Sequence, residues 1–385
     1  MKQVAIIKCE SYDYQAVKKA VEKGISLIGG IGKFVNQGEK ILLKPNLLSA
    51  SAPEKGVTTH PAVFKAAAEL FLAAGAVVSY GDSPPTGNTQ GAAKKSGLIA
   101  IADELGLKTA DFKTGQEVLF EEGRQNKKFV IAQGVLESDG VISLPKLKTH
   151  GLVRYTGCVK NQFGCIPGVL KGEFHVKLPD ALNFAKMLVD LNNLIKPRLY
   201  IMDGIMAMEG NGPRGGNLRR MNVLLFSKDP IALDSTACRL INLNPEIVPT
   251  IKFGMEFGAG TWLPEEIELL GDNFDELKLD NFEVDRTPVR PFKAGGIARF
   301  INNRLVPKPV ITGNECSKCG ICVSMCPASP KAVNLDDGDE TKSPIYDYGL
   351  CIRCYCCQEM CPEGAITLKV PPLRKALKGL RLIPN

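Results

Sequence analysis

The chain has 385 residues, 44% hydrophobic and 23% charged, with a formal net charge of +7. That length exceeds one ordinary core, so two or three domains are expected, and the composition is that of a globular protein. The mild basic excess gives no case for a nucleic-acid partner, and no apolar run approaches the roughly 18 residues of a membrane span.

The opening MKQVAIIKCESYD reads as a first strand and not as a signal peptide, because it lacks a basic lead and a small-residue cleavage site. A cytoplasmic protein is therefore expected, and its 13 cysteines point to metal or catalysis ahead of disulfides. From residue 3 to about 290, β-rich runs alternate with helical patterns. VAIIKC precedes YQAVKKAVEKGISLI, and KILLKPN precedes PAVFKAAAELFLAAGA, where Pro61 suits a first helical position. VVSYGDSPP, DGVISLPKLKTH, RLYIMDG and MNVLLFS are further strand candidates, while EVLFEE and KKFVIA form a hairpin about GRQN. The expected fold is α/β on a mostly parallel sheet, followed by a small α+β ferredoxin-like domain.

Each apolar run ends in polar residues. ILL gives way to Lys44-Pro45-Asn46, VVSY to Gly81-Asp82-Ser83, VISL to Pro145-Lys146-Leu147-Lys148-Thr149-His150, and LYIM to Asp203. Ligands of open α/β sheets bind at the carboxyl ends of strands, so Lys44, Asn46, Asp82, Ser83, Lys146, Lys148 and Asp203 are expected along one rim. Strand-to-helix loops are also polar simply to cap and turn. CVKNQFGC adds Lys160 and Asn161 as anion-binding candidates, while Cys158 and Cys165 read as buried, inert thiols.

EGNGPRGG matches the glycine spacing of a dinucleotide fingerprint, but a strand comes after it and not the helix the fingerprint must open. Its Arg214 is kept as an anion-binding candidate beside a plain-loop reading. Of the three histidines, His60 reads as a helix cap, His150 as the general acid/base candidate together with Asp82, and His175 as surface loop. The expected boundaries are 1–290 for the α/β domain, 291–309 for a linker, 310–370 for the cysteine-rich domain and 371–385 for a basic tail. Leu373, Leu377, Leu380 and Leu382 allow that tail to be a short amphipathic helix packed on the protein.

Two cysteine runs share one spacing, C-x2-C-x2-C-x3-C-P: Cys316, Cys319, Cys322, Cys326 and Cys351, Cys354, Cys357, Cys361. This is the bacterial pattern for [4Fe–4S] clusters, in which the fourth cysteine of each run ligates the other cluster. Cys316, Cys319, Cys322 and Cys361 are expected to hold one cluster, and Cys351, Cys354, Cys357 and Cys326 the second. Cys356 is left over. Paired zinc sites are the alternative, but zinc sites usually separate two C-x2-C knuckles. Residues 311–369 carry five Lys/Arg against eight Asp/Glu, so this lobe suits a basic redox partner.

Taken together, KPN, TTHP, GDSP, PKLKTH and CVKNQFG ahead of a double cysteine run resemble the domain-of-unknown-function 362 family over residues 1 to about 270. The final lobe resembles bacterial two-cluster ferredoxins at the eight ligands, departing from them in its spacer 327–350 and in Cys356. The resemblance implies a cytoplasmic iron–sulfur protein of anaerobic or facultative bacteria and archaea, without an established substrate. Three functions fit: an oxidoreductase whose clusters pass electrons to an anionic molecule at the rim, an electron carrier whose α/β part docks a partner protein, and a non-redox enzyme with structural clusters.

Overall fold

The computed structural model describes residues 1–85, 87–289, 304–336 and 338–374. The N-terminal part is built on a ten-stranded sheet whose main path runs β12-β1-β11-β10-β7-β2-β3-β4. Its strands are β1 (Lys2–Lys8), β2 (Lys40–Pro45), β3 (Val77–Tyr80), β4 (Lys108–Thr109), β7 (Gly140–Leu144), β10 (Leu199–Glu209), β11 (Asn217–Ser227) and β12 (Ile267–Gly271). The hairpin of β5 (Gly115–Leu119) and β6 (Lys128–Ala132) stands apart as its own antiparallel pair. From β10 through β7, β2 and β3 to β4 every pairing is parallel, and β1 pairs β12 in parallel; β11 is antiparallel to both neighbours. The mostly parallel α/β fold expected from the alternating pattern is thus present.

Successive residues of a strand face opposite sides, and here both sides are apolar. Ala5, Ile7, Ile41, Leu43, Ile142 and Leu144 pack on one face, together with Val17, Val21, Phe64 and Phe71 of the helices Tyr14–Leu27 and Pro61–Ala73. Val4, Ile6, Leu42, Val141 and Met202 face the other core, with Phe184 and Leu188 of Ala181–Ile195 and Leu233 of Pro230–Leu240. Full coverage of both faces is what a parallel sheet requires. The helix Pro61–Ala73 begins at Pro61, and His60 caps it: Nδ1 accepts from the Ala62 amide at 3.1 Å.

Pro145 breaks one extended run into β7 and β8 (Lys146–His150). β8 continues beside β10, with Lys146 opposite Asp203, and β9 (Arg154–Thr156) folds back antiparallel on it. This extension carries the lysine-rich rim beyond the carboxyl end of β7, still paired with β10. The C-terminal lobe has two small antiparallel pairs, β13 (Lys308–Ile311) with β16 (Ile366–Lys369) and β14 (Val333–Asn334) with β15 (Ile345–Tyr346). Short helices Ile321–Ser324 and Cys356–Met360 come after the first two cysteines of each run. Residues 290–303, most of the expected linker, and the tail from 375 lie outside the described residues. Arg374, the last of them, donates to Thr287 Oγ1 at 2.6 Å.

Candidate functional site

The strand ends do meet, but they divide into two shells. Behind the rim are two closed, buried ion pairs. Lys44 Nζ lies 2.9 Å from Asp82 Oδ1, and Asp82 also accepts from the amides of Leu47 at 2.7 Å and Ser83 at 3.0 Å. Gly164 lets the chain cross this pair: a Cβ there would fall 1.7 Å from Asp82 Oδ1. Lys146 Nζ lies 2.7 Å from both Asp203 Oδ2 and the Tyr12 hydroxyl, and Tyr12 donates to Asp203 Oδ1 at 2.7 Å. Tyr12 in turn stacks on His60, whose backbone amide donates to Asp203 at 3.0 Å. Asp82, a proton-transfer candidate from the sequence, is therefore held as a hydrogen-bond acceptor, and Lys44 and Asp203 are likewise consumed in pairing.

In front of these pairs, with Asp82 and Lys146 themselves in its wall, lies a cavity of about 320 Å³. The α/β part contributes Asn46, Ser83, Lys148, Lys160, Asn161 and Phe163 to its wall, and the C-terminal lobe contributes Met325, Cys356, Glu359 and Met360. Asn161 is fixed by bonds from its amide to Ser143 Oγ at 2.9 Å and Lys44 O at 3.3 Å, and Asn46 Oδ1 accepts from Lys148 Nζ at 2.8 Å. Lys160 Nζ faces Glu359 Oε1 at 3.4 Å and the Phe163 ring. His150 Nδ1 accepts from the Leu152 amide at 3.0 Å, which leaves the proton on Nε2, 3.4 Å from Glu359 Oε2. Burial, then the Lys160 charge, holds this imidazole below its ordinary pKa, so His150 reaches the cavity as a neutral group acting through Glu359.

Three ionisable wall residues, Lys171, His175 and Glu359, were not foreseen. Lys171 and His175 come from the helix Lys171–Lys177, both are buried, and both line the cavity. The expectation of a surface loop for His175 is thereby corrected. The i, i+4 spacing that places the two on one face is in the sequence, but Gly172, Glu173 and Lys177 around them mask it. Glu359 sits inside the cysteine run, where only ligands were sought. Cys158 and Cys165 are fully buried, and burial pushes the Cys165 thiol up to about 12.

The glycine loop turns out to be the seam between the lobes. Gln358 donates from Nε2 to Asn211 Oδ1 at 2.8 Å and to the Gly212 carbonyl at 3.0 Å. Asn211 donates to the Ile366 carbonyl at 3.0 Å. Gly215 passes so close to Gly364 that a Cβ would meet its Cα at 2.7 Å. Arg214, an anion-binding candidate from the sequence, instead donates to the Met360 carbonyl at 3.0 Å and lies within the field of Cys361 and Cys319.

Within the C-terminal lobe, Cys316, Cys319, Cys322 and Cys361 line a second cavity, with Ile311 and Ile366 behind them. Four thiols around one space form a donor set that fits a [4Fe–4S] cube. Burial and the charges of Cys316 and Cys361 push the Cys322 thiol up to about 11. Cys351, Cys354 and Cys357 interact electrostatically with one another, and Cys326 Sγ accepts from the Ala332 amide at 3.4 Å. Cys319 is exposed, whereas Cys351 and Cys357 are buried.

Two family models match the chain. The family model for a domain of unknown function, number 362, matches residues 41–239, and that for a 4Fe-4S dicluster domain matches residues 315–365. The chain belongs to the domain-of-unknown-function 362 family. Its C-terminal lobe is a ferredoxin-type domain that binds 4Fe-4S clusters and serves electron transfer. A thylakoid-associated protein of Synechocystis sp. is 35% identical over 285 residues, covering 74% of this chain and 88% of that relative. Two solved structures match at lower similarity. The lactate racemase apoprotein from Thermoanaerobacterium thermosaccharolyticum is 14% identical, with a TM-score of 0.40 over 62% of this chain and 56% of its own. A Thermotoga maritima protein is 13% identical, with a TM-score of 0.35 over 61% and 60%. Among the described residues of this family member, no helix is long and apolar enough to cross a membrane.

Proposed function

We propose that this protein is an oxidoreductase of two [4Fe–4S] clusters that delivers electrons to an anionic acceptor held in the cavity between its lobes. Cys316, Cys319, Cys322 and Cys361 hold one cluster, and Cys351, Cys354, Cys357 and Cys326 the other. The single observation that carries the reading is Cys356: it lies between the ligands Cys354 and Cys357, and it forms part of the cavity wall. A molecule in the cavity therefore abuts the chain segment that cages the second cluster.

The clusters, when bound, supply single electrons. Cys319 is exposed, so a redox partner protein can dock against it, whereas Cys357 is buried. Asn46, Lys148 and Lys160 position the acceptor, and a protonated Lys148 favours the extra negative charge it gains. Glu359, held ionised beside Lys160, fixes that lysine in the wall, with His150 Nε2 3.4 Å behind it. The buried pairs Lys44–Asp82 and Lys146–Asp203 hold the lysine-bearing strands in place.

The test uses anaerobic, photoreduced holoprotein mixed separately with the low-mass and the desalted protein fractions of cell extract. Return of the visible cluster absorbance is expected with the low-mass fraction. Reoxidation by the protein fraction alone would replace this reading with a carrier whose α/β part only docks a partner.

A further inference from the structure

Lys148 and Lys171 carry an inference that rests on the cavity being the acceptor's site. Both ammonium groups are buried, and both meet neutral oxygens only. Lys148 Nζ lies 2.8 Å from Asn46 Oδ1 and 2.6 Å from the Val57 carbonyl, while Lys171 Nζ touches the Ser83 carbonyl. The other charges around the cavity are already matched: Lys44 with Asp82, Lys146 with Asp203, Lys160 with Glu359. Among the described residues, no carboxylate stands within ion-pair distance of either Lys148 or Lys171. A buried ammonium without a counter-ion must shed its proton or acquire an anion. Burial brings both groups down to about 7, so neither outcome is settled by the protein alone. An ammonium has three N–H donors, so one on Lys148 and two on Lys171 are left over after the contacts above.

We propose that Lys148 and Lys171 form the seat of a phosphate group, and that the acceptor is a phosphorylated organic molecule with an apolar body. Two uncompensated positive charges match the charge of about −1.5 to −2 on a phosphate monoester, whereas one carboxylate would balance only one. No arginine is among the described wall residues, so the rigid fork that recognises carboxylates in bidentate fashion is missing, while lysines bind phosphate as point charges. Away from the lysines the wall is Leu48, Pro85, Phe163, Met325 and Met360, ending at Cys356. The body of the molecule lies there, against the ferredoxin lobe. His175 also lines the cavity and has a buried Nδ1 without a hydrogen-bond partner. The space, about 320 Å³, is that of a small organic ligand and not of a lone phosphate ion.

Gly172 provides a control that leaves both lysines in place. It lines the cavity, and a Cβ there would meet nothing within 4 Å, so Gly172→Leu adds bulk from an open position of the wall.

The experiment is isothermal titration of anaerobic holoprotein with inorganic pyrophosphate at constant ionic strength, with malonate as the carboxylate comparison. One site is expected for pyrophosphate, with malonate at least ten-fold weaker. Lys148→Met, Lys171→Met and Gly172→Leu should each weaken pyrophosphate at least ten-fold while leaving the cluster spectrum intact. Absence of binding, binding that none of the three substitutions weakens, or tighter binding of malonate would each overturn the assignment. No electron moves in this titration, so a phosphate seat found here alongside failed reoxidation by the low-mass fraction would remove the redox reading and leave the seat standing.

Discussion

Gln358 of the second cysteine run lies 2.8 Å from Asn211 of the glycine loop, amide to amide, and the same nitrogen reaches two backbone carbonyls of that loop. This one side chain ties the cluster-bearing helix to the α/β lobe. Gln358→Leu should leave iron content unchanged, because no thiol moves. It strands buried acceptors at a cost of about 1–3 kcal/mol. A shifted urea midpoint and slower reoxidation by the low-mass fraction are expected; an unchanged midpoint would mean the lobes are held elsewhere.

The Lys44–Asp82 pair makes a different prediction. Removing one partner of a buried pair leaves an uncompensated charge, costing about 3–5 kcal/mol, whereas replacing both is far milder. Lys44→Met should therefore destabilise strongly, and the double variant Lys44→Met/Asp82→Asn should recover most of the loss. Chemical denaturation of the four proteins in a double-mutant cycle measures the coupling.

Stability should depend on pH through Lys148 and Lys171. Each is brought to about 7 in the folded protein by burial, from an ordinary value of 10.5. Between those values the unfolded chain binds more protons than the folded one, so stability rises with pH from about 7 towards 10.5. Each lysine adds up to about 1.4 kcal/mol per pH unit within that window. Lys148→Met and Lys171→Met should each flatten the dependence relative to the parent in denaturation curves collected from pH 7 to 9.5. Saturating pyrophosphate should flatten it in the parent as well.

The cysteine assignments separate by iron analysis. Cys361→Ser should cost the cluster at Cys316, Cys319 and Cys322, although it lies 39 positions beyond Cys322, and iron should fall from about eight to about four per chain. Cys356→Ser should retain all of it. Iron loss from Cys356→Ser would make that thiol a ligand and move the cavity wall into the cluster itself.

The periodicity of apolar runs was sufficient for the sheet because a strand buried on both faces has to be apolar throughout, as β2 and β7 are. The polar residues after those runs were equally visible, yet their spacing could not sort them. Lys44 and Lys148 look alike in sequence; one faces Asp82 and the other faces only neutral oxygens, because their partners arrive from β3 and from the Asn46 and Val57 loops. Lys171 and His175 stayed hidden in a segment whose glycine and surface charges read as loop. Arg214 looked free to bind an anion until the second lobe came to rest on its loop.

The iron–sulfur chemistry is legible in the order of residues alone, since ligand spacing along a short run is a local property that a four-cornered cube reads directly. So is the α/β class, because burial on both sides of a sheet leaves its mark on every strand. Which lysines keep an unbalanced charge, and that Cys356 faces a cavity, emerge only once the chain is folded. Those are relations between segments far apart in the chain, 102 residues for Lys148 and Asn46 and 88 for Lys171 and Ser83, and burial and electrostatic balance depend on distance in space and not on position along the chain.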